Sequence, residues 1–311
     1  MKSESVRPTV PKCTFCENPA IVYRKEVNHH LCKTHFIADV ELRVISNIEK
    51  KTLISDGDRI AIALSGGKDS TALLLLLYRL LPCWNDVHLI AITIDEGIAG
   101  YRVETIRSAQ RLAHQFDIEH RIISFDDIYG NTLDSLLRGK ESQACSICGI
   151  LRKKALDKGA RDVGATKLAT GHNLDDEAQS ALMNVLRDDL PRLVRNSSTM
   201  KSPYFIPRIK PLSDLSEKDI ATYLLIQDAW TDLPECPYTH NALRREVRSM
   251  LSDLEYRYPG TMLRIMDSKR KIEHYLSGIE ITEPLRHCKE CGDPSSGEVC
   301  QVCLIKRSFS H

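Results

Sequence analysis

The chain has 311 residues, 42% of them hydrophobic, which is enough for one sizeable domain with small appendages. Its 43 lysines and arginines nearly balance 42 acidic residues, so net charge does not indicate a nucleic-acid partner, and any basic surface must come from local clustering. No apolar run approaches the roughly 20 residues of a membrane helix, and the N-terminus lacks the apolar core of a signal peptide. We therefore expect a cytoplasmic protein that does not associate with membranes.

Most of the 11 cysteines fall in short pairs, which in a reducing compartment indicates metal ligation rather than disulfides. The first set, whose spacing suits Zn²⁺, consists of Cys13, Cys16, Cys32 and His35. His29 or His30 is an alternative fourth ligand. Because this segment has too few apolar residues for its own core, we expect a metal ion to hold it together. A helix with apolar residues at helical spacing follows, from Phe36 to about Lys51.

Between Asp58 and about Asp189, short apolar runs alternate with segments of helical periodicity. The predicted strands are Arg59–Leu64, His88–Ile94, Glu119–Phe125 and Lys167–Thr170. The predicted helices are Asp69–Leu81, Arg102–Phe116, Ile147–Val163 and Leu174–Arg187. This alternation predicts an α/β fold, a parallel sheet with helices on both faces, whose ligands bind at the carboxyl ends of the strands.

The first predicted strand leads through a glycine pair into the first predicted helix, over Ser65-Gly66-Gly67-Lys68-Asp69-Ser70. Two glycines let the backbone approach an anion, and the N–H groups at a helix start face it. A simple turn before a core helix is the other interpretation. The Walker spacing is absent, which argues against an ordinary P-loop NTPase. The motif resembles the PP-loop of the ATP pyrophosphatase superfamily, whose members cleave ATP between the α and β phosphates.

Cys145 and Cys148 form a pair with no second pair near them in sequence. Of the other unassigned cysteines, Cys236 is a candidate third ligand, and Cys83, at the end of an apolar helix, is expected in the core. Three thiolates without a fourth protein ligand suit an incomplete zinc site or an iron–sulfur cluster with one open iron. A redox pair of Cys145 and Cys148, with Cys236 incidental, is equally compatible with the sequence.

Three further helices are predicted after Pro191, over Ser216–Gln227, Asn241–Tyr256 and Thr261–Leu276. The chain then closes with a zinc ribbon formed by Cys288, Cys291, Cys300 and Cys303. A disulfide framework is the alternative for both terminal sets. We expect five segments: an N-terminal zinc finger (1–36), a linker helix (37–57), a PP-loop catalytic domain (58–215), a helical extension (216–284) and a C-terminal zinc ribbon (285–311).

SGGKDS at 65–70, ACSICG at 144–149, TGHNLDDEA at 170–178, ECPY at 235–238 and the two terminal zinc modules occur here in one order. This combination resembles the tRNA 2-thiouridine synthetases of the TtuA and NcsA branch of TtcA-like PP-loop proteins. The terminal zinc modules favour that branch, because TtcA-type enzymes lack them. The resemblance implies an ATP-dependent tRNA sulfurtransferase that adenylates the C2 oxygen of a uracil base and replaces that oxygen with sulfur.

The resemblance also assigns residues. ATP would be bound by Ala63, Leu64, Ser65, Gly66, Gly67, Lys68, Asp69, Ser70, Thr93, Arg152, Gly171 and Asp176. The catalytic set would be Cys145, Cys148, Cys236, Asp69, Arg152 and Asp176. Asp176 would help bind Mg²⁺, with Asp175 close by, although acidic residues also suit a helix N-terminus. Lys153 competes with Arg152. The three cysteines would hold a [4Fe-4S] cluster that carries hydrosulfide, with a persulfide on Cys148 or Cys236 as the competing mechanism.

A base of folded tRNA must be splayed out to reach such a site. Basic candidates for that approach, unless they form a solvated helix face, are Arg187, Arg192, Arg195, Arg244, Arg245 and Arg248. The sequence leaves open the uridine (34, which we favour, or 54), the sulfur donor (sulfide or a ubiquitin-like thiocarboxylate carrier) and homodimer formation. An amidating ATP pyrophosphatase and a zinc-ribbon RNA-binding protein are the alternative functions.

Overall fold

The computed structural model describes residues 10–194, 205–238, 242–276 and 286–309. The strands are β1 (Val22–Arg24), β2 (His29–Leu31), β3 (Arg59–Ala63), β4 (His88–Asp95), β5 (Glu119–Ser124), β6 (Lys167–Ala169), β7 (Arg208–Ile209), β8 (Arg286–His287) and β9 (Pro294–Ser295). The helices are α1 (Lys33–Lys50), α2 (Lys68–Leu80), α3 (Arg102–Gln115), α4 (Phe125–Tyr129), α5 (Leu133–Leu136), α6 (Ala144–Asp162), α7 (Leu174–Leu186), α8 (Leu190–Val194), α9 (Glu217–Ile226), α10 (Ala242–Arg257), α11 (Thr261–Tyr275) and α12 (Gln301–Phe309).

A five-stranded parallel sheet in the order β5-β4-β3-β6-β7 forms the centre of the described chain. Its central strands β3 and β4 are rich in Ile and Ala and are buried on both faces, as expected for parallel strands covered by helices, whereas the edge strand β5 is partly exposed. The chain enters at β3, moves outward to β4 and β5, and then returns to the other side of β3 for β6 and β7. The reversal leaves a crevice beyond the carboxyl ends of β3 and β6, where open α/β sheets bind ligands.

Two apolar cores lie on the two sides of this sheet, which confirms the predicted fold class. On one side, the leucine-rich helix α2 packs between the sheet, α1 and α9, and Leu73, Leu74 and Leu76 are fully buried. On the other side, α6 packs on β4 through residues such as Leu151 and Ala155. Each buried leucine contributes roughly 1.5–3 kcal/mol, so these cores fix the loops at the edge of the sheet.

A third apolar cluster joins the helical extension to the sheet domain. Leu174 and Ala178 of α7 pack against Val247 and Leu251 of α10, and Met262 of α11 joins them. The extension therefore lies directly over the helix that follows β6. Among the helices that the structure describes, none combines the length and apolar content that crossing a bilayer requires.

The structure differs from the sequence prediction in a few local features. The predicted helix from Ile147 begins three residues earlier, at Ala144, so that Cys145 and Cys148 share its first turns. The two-residue strand β7 was not predicted, because it is too short for a periodicity signal. The prediction that Cys83 belongs to the core is wrong: Cys83 is exposed, since a 3₁₀ turn over Leu81–Cys83 ends the apolar helix before it. The predicted start of α10 at Asn241 lies outside the described residues.

Candidate active site

The loop between β3 and α2 presents a helix N-terminus to the crevice. Gly67 is the N-cap residue and offers no side chain to satisfy the first N–H groups of α2. The loop is internally braced, because the Ser70 hydroxyl donates to Gly67 O at 2.9 Å and lies 3.0 Å from the Ser65 hydroxyl. Ser70 also accepts from Ser65 N at 3.1 Å. Preorganised N–H groups at a helix start form an anion-binding site.

Two glycines are sterically required around this loop. Gly66 has φ +88°, and a Cβ atom there would lie 2.0 Å from the carbonyl oxygen of Thr105 in α3. Gly171, in the loop after β6, packs on the start of α2, where a Cβ atom would lie 2.9 Å from the carbonyl carbon of Asp69. The glycine loop is therefore clamped between α3 and the β6–α7 loop, and both contacts are with backbone that cannot easily move.

Charged side chains surround the start of α2. Lys68 Nζ lies 3.1 Å from Asp69 Oδ2 and 2.9 Å from Glu217 Oε1, at the first residue of α9. Burial lowers the pKa of Lys68, but the two carboxylates outweigh this and raise it, so the ammonium stays charged. Asn173 Nδ2 donates to Asp69 Oδ1 at 3.1 Å. Glu217 was not identified as a site residue from the sequence. The only indication in the sequence was that Glu217 follows Ser216 at the start of a predicted helix.

The acidic pair at the start of α7, Asp175 and Asp176, stabilises the start of that helix and its contact with α9. Asp176 completes a capping box with Asn173, accepting from Asn173 N at 3.4 Å while its own N–H donates to Asn173 Oδ1 at 3.0 Å. Asp175 accepts from Glu217 N at 2.8 Å, and burial raises the pKa of its carboxyl. Carboxylate oxygens are the ligands that Mg²⁺ prefers, and binding of Mg²⁺ by Asp69, Asp175 and Asp176 stays a prediction.

Thr93 is fully buried beneath the glycine loop. Its hydroxyl donates to Leu64 O at 2.6 Å and lies 2.7 Å from His120 Nε2. Thr93 therefore supports the backbone that enters the loop. Contact between Thr93 and adenine stays a prediction.

The three central cysteines converge at the start of α6. Cys148 is buried, and burial raises the pKa of its thiol to about 11, although Arg152 opposes this. Cys145 donates to the carbonyl oxygen of Tyr238 at 3.0 Å, which brings the ECPY segment to α6. Cys236 packs against the apolar cluster that contains Cys148. Burial raises the pKa of Cys236, and Cys145 adds to the rise, whereas a backbone hydrogen bond of Tyr238 and the charge of Arg152 lower it.

Arg152 connects this cysteine centre to the glycine loop. It donates to Cys148 Sγ at 3.2 Å, as expected from its place one turn further along α6, and its Nε lies 2.6 Å from Glu96 Oε1. The other oxygen of Glu96 lies 2.6 Å from Arg102 Nε. Arg102 in turn donates to Ser65 O at 3.3 Å. Sequence reasoning missed both Glu96 and Arg102, and the available signal was a charged residue directly after a buried strand at the ligand edge.

The two terminal sets have the compact geometry that suits a single ion. His35 Nδ1 lies 3.4–3.5 Å from three thiols, so His35 rather than His29 or His30 is the fourth member of its set. In the C-terminal set, Cys288 and Cys303 sulfurs are 3.8 Å apart. Sulfur separations of about 3.8 Å follow from tetrahedral Zn²⁺ with Zn–S bonds of about 2.3 Å. Within the described residues, these are the two groups of three or more Cys, His, Asp or Glu side chains whose ligand atoms all lie within 4.8 Å of one another, so the thiols of Cys145, Cys148 and Cys236 are spaced more widely than that.

The two zinc-type modules brace opposite sides of the site. In the N-terminal module, Arg24 pairs with Asp219 of α9, and Arg43 of α1 pairs with the same carboxylate at 2.8 Å. In the C-terminal module, Asp293 pairs with Lys154 of α6, and α12 packs against α6. One module thus supports the helix that presents Glu217 to Lys68, and the other supports the helix that carries Cys145 and Cys148.

Of the basic candidates, Arg244 and Arg248 turn toward the nucleotide side of the crevice. Arg244 lies 3.9 Å from Asp176, and Arg248 makes two 2.8 Å contacts with the Glu217 carboxylate. Arg187, Arg192 and Arg245 are exposed. Arg195 lies outside the described residues. Arg244 and Arg248 thus pair with acidic residues of the site, and contact between the basic candidates and RNA stays a prediction.

Comparison with known proteins agrees with this geometry. A family model described as a PP-loop domain matches residues 39–251, and one described as the N-terminal LIM domain of the 2-thiouridine synthetase TtuA matches residues 12–37. The tRNA 2-thiolation protein NcsA of Haloferax volcanii is 34% identical over 96% of this chain and 99% of its own. The cytoplasmic tRNA 2-thiolation protein 1 of Aspergillus niger is 36% identical over 94% of this chain and 87% of its own.

A solved structure extends the likeness to three dimensions. The U34-tRNA thiolase NcsA from Methanococcus maripaludis, solved with its [4Fe-4S] cluster, superposes with a TM-score of 0.84. The two chains are 33% identical, and the match covers 97% of each. Sheet, helical extension and both terminal modules therefore belong to one shared architecture.

Proposed function

Because the chain belongs to the PP-loop family of tRNA 2-thiolation proteins, we propose that it is a tRNA uridine 2-sulfurtransferase that uses ATP to exchange the C2 oxygen of a uracil base for sulfur. The observation that carries the proposal is the meeting of three thiols, distant in sequence, beside Arg152. That guanidinium is connected to the glycine loop through Glu96 and Arg102. A sulfur donor and an activated base can meet only where two such sites adjoin.

The reaction needs ATP because a uracil C2 carbonyl is a weak electrophile and its oxygen is a poor leaving group. In the first step the C2 oxygen forms a bond to the α phosphorus of ATP, and the bond from that phosphorus to the β-phosphate oxygen breaks, releasing pyrophosphate. In the second step sulfide forms a bond to C2, and the C2–O bond breaks, so that AMP leaves with the oxygen. The site must therefore stabilise negative charge on phosphate in both steps.

The nucleotide side of the crevice is equipped for that task. The phosphates would lie on the N–H groups at the start of α2, with Lys68 and Arg152 supplying positive charge. Asp69 and Asp176 would hold an Mg²⁺ ion, which would supply further positive charge to the phosphates. Lys68 pairs with Asp69 and Glu217, and these contacts hold its ammonium at the start of α2, where the phosphates would lie.

The donor set at the start of α6 fits a [4Fe-4S] cluster with three protein ligands. Its donors are all thiols, they come from two elements that meet, and the cation of Arg152 offsets the negative charge of deprotonated Cys148. When bound, such a cluster supplies an open iron position at which exogenous sulfur can be held. The chain's own part is to orient the ligands through Tyr238 O and to exclude water with the apolar wall around Cys148.

The substrate we propose is the wobble uridine, position 34, and the donor is inorganic sulfide. Position 34 is supported by the solved relative, which is described as a U34-tRNA thiolase. The base would be splayed out of the anticodon loop, and the exposed arginines Arg187, Arg192 and Arg245 would contact the RNA backbone. Both terminal modules would hold Zn²⁺ and act as structural supports, because their four-ligand sets leave no open position for chemistry.

Stoichiometry tests the reaction. Protein reconstituted anaerobically with iron and sulfide is incubated with unmodified tRNA, Mg-ATP and sulfide, and AMP, pyrophosphate and 2-thiouridine are quantified by liquid chromatography and mass spectrometry. We expect all three products in equal amounts, and none without tRNA. Release of ADP and phosphate, or AMP release coupled to amidation of another acceptor, would contradict the proposal.

A further inference from the structure

The acidic residue directly after β4, Glu96, is almost entirely enclosed, with 2% of its surface exposed. Its two carboxylate oxygens face different arginines, Arg152 and Arg102, each at 2.6 Å. Two guanidiniums on one carboxylate leave an excess positive charge. A buried charge is retained only where it is paired, so this group of three is a built arrangement rather than a chance surface contact.

The two arginines paired with Glu96 lie in different parts of the site: Arg102 beside the glycine loop and Arg152 beside Cys148. Arg102 is 4% exposed and is anchored on the nucleotide side, because it donates to Ser65 O at 3.3 Å, to Thr105 Oγ1 at 2.8 Å and to Ile94 O. Arg152 is half-exposed and has fewer anchors, donating to Cys148 Sγ at 3.2 Å. The better-anchored arginine therefore lies against one oxygen of Glu96 as an ion pair outside hydrogen-bond geometry, and the other oxygen of Glu96 pairs with the more exposed Arg152.

Backbone contacts hold the turn that carries Glu96 against the start of α5. Glu96 O accepts from Leu133 N at 2.7 Å. The next residue, Gly97, has φ +69°, and a Cβ atom there would lie 2.6 Å from the Thr132 side chain. The turn after β4 is therefore packed against the start of α5, which fixes the backbone that carries the Glu96 side chain.

We propose that Glu96 is a positioning residue for sulfur transfer: it holds the Arg152 guanidinium between the cysteine centre and the glycine loop, so that one cation serves both. The proposal deepens the sulfurtransferase function and rests on it. Without the carboxylate, Arg152 retains its charge and its contact with the Cys148 thiol, but it loses the ion pair with Glu96 that orients its guanidinium. A loosely held long side chain has many other rotamers in a half-exposed position.

The test is a double-mutant cycle measured by single-turnover thiolation of tRNA. Glu96→Gln keeps the shape of the side chain and removes its charge, and we expect the rate to fall by about 10- to 100-fold, as for loss of a residue that orients a catalytic group. Arg152→Gln should be slower still. If Glu96 acts through Arg152, the double variant should be no more than about threefold slower than Arg152→Gln alone.

Binding of ATP to cluster-free protein, measured by calorimetry, is the readout independent of activity. Loss of the Arg152 contact alone should raise the ATP dissociation constant of Glu96→Gln by no more than about fivefold, because Lys68 and the N–H groups at the start of α2 still face the phosphates and Arg102 keeps its carbonyl and hydroxyl partners. The matched control is Glu104→Gln, since Glu104 is exposed on α3 and pairs only with the nearby Arg107 among the contacts described. This control should change neither rate nor affinity.

The possible outcomes separate the two proposals. With an active wild type, each of three results would overturn the positioning role. The first is a double variant whose rate falls by the product of the two single losses, and the second is an unchanged rate for Glu96→Gln. The third is a loss of ATP affinity in Glu96→Gln as large as its loss of rate. Absence of 2-thiouridine with the wild-type protein would instead overturn the proposed function, and this inference with it.

Discussion

Substitution of Gly66 by Ala tests the geometry of the nucleotide loop most sharply. The new Cβ atom would lie 2.0 Å from Thr105 O, more than 1 Å closer than van der Waals contact allows, and the φ of +88° is unfavourable for any side chain. The conformational strain costs about 1–2 kcal/mol, and the clash must be relieved by moving the loop away from α3. A displacement of about 1 Å in a binding loop can reduce activity about 100-fold.

A second glycine separates these two effects. Gly57 has φ +78°, but a Cβ atom placed there would have no neighbouring atom within 4 Å, so Gly57→Ala carries the conformational strain without the clash. Both variants should lose about 1–2 kcal/mol of unfolding free energy, measured by urea denaturation. Gly66→Ala should additionally bind ATP about 100-fold more weakly in calorimetry, whereas Gly57→Ala should bind it as wild type does. If Gly66→Ala bound ATP within about threefold of wild type, the clamped-loop account would be refuted.

Three further predictions concern the cysteines and the two terminal modules. Cys148→Ser should lose iron from the reconstituted protein while still binding ATP, and Cys83→Ser should match wild type in both measurements. Removal of Zn²⁺ by a chelator should lower the thermal unfolding midpoint and weaken ATP binding, because the N-terminal module braces α9. Asp219→Asn should lose about 3 kcal/mol of unfolding free energy at pH 7, since it leaves two arginines on a neutral amide.

The Asp219 effect carries a pH dependence of known sign. Burial raises the pKa of this carboxyl, but Arg43 and Arg24 outweigh it and hold the pKa below its usual range. Stability from a carboxylate with a lowered pKa is present above the unfolded pKa, about 3.9, and is lost as the pH falls through the folded value. The difference between wild type and Asp219→Asn should therefore be constant from pH 7 to about pH 5 and shrink below about pH 4.

Local patterns predicted the sheet domain because most of its strands and helices have a clear hydrophobic pattern in the sequence. The leucine run of α2 and the Ile and Ala run of β3 give unambiguous periods, and a glycine pair between them has few structural interpretations. The cysteine pair of α6 was equally visible. Its third partner, Cys236, was reached by elimination together with the resemblance, since no local pattern connects residues so far apart.

Pairings between distant charges could not be read from sequence. Glu96 and Glu217 look like ordinary acidic residues at the ends of elements, and their roles arise from which arginine or lysine the fold brings opposite them. Cys83 illustrates the reverse error, because an apolar helix predicts burial for its last residues although Pro82 ends the helix and turns Cys83 to solvent. Tertiary pairing decides both cases, and periodicity carries no information about it.

The measurement closest to the central claim is nucleoside analysis of wobble uridine 34 after reaction of wild type, Cys236→Ser and Cys83→Ser with tRNA, Mg-ATP and sulfide under anaerobic conditions. If the three thiols act together beside the nucleotide loop, wild type and Cys83→Ser should form 2-thiouridine at position 34, and Cys236→Ser should form none. All three proteins should bind ATP. Undiminished thiolation by Cys236→Ser would contradict the account.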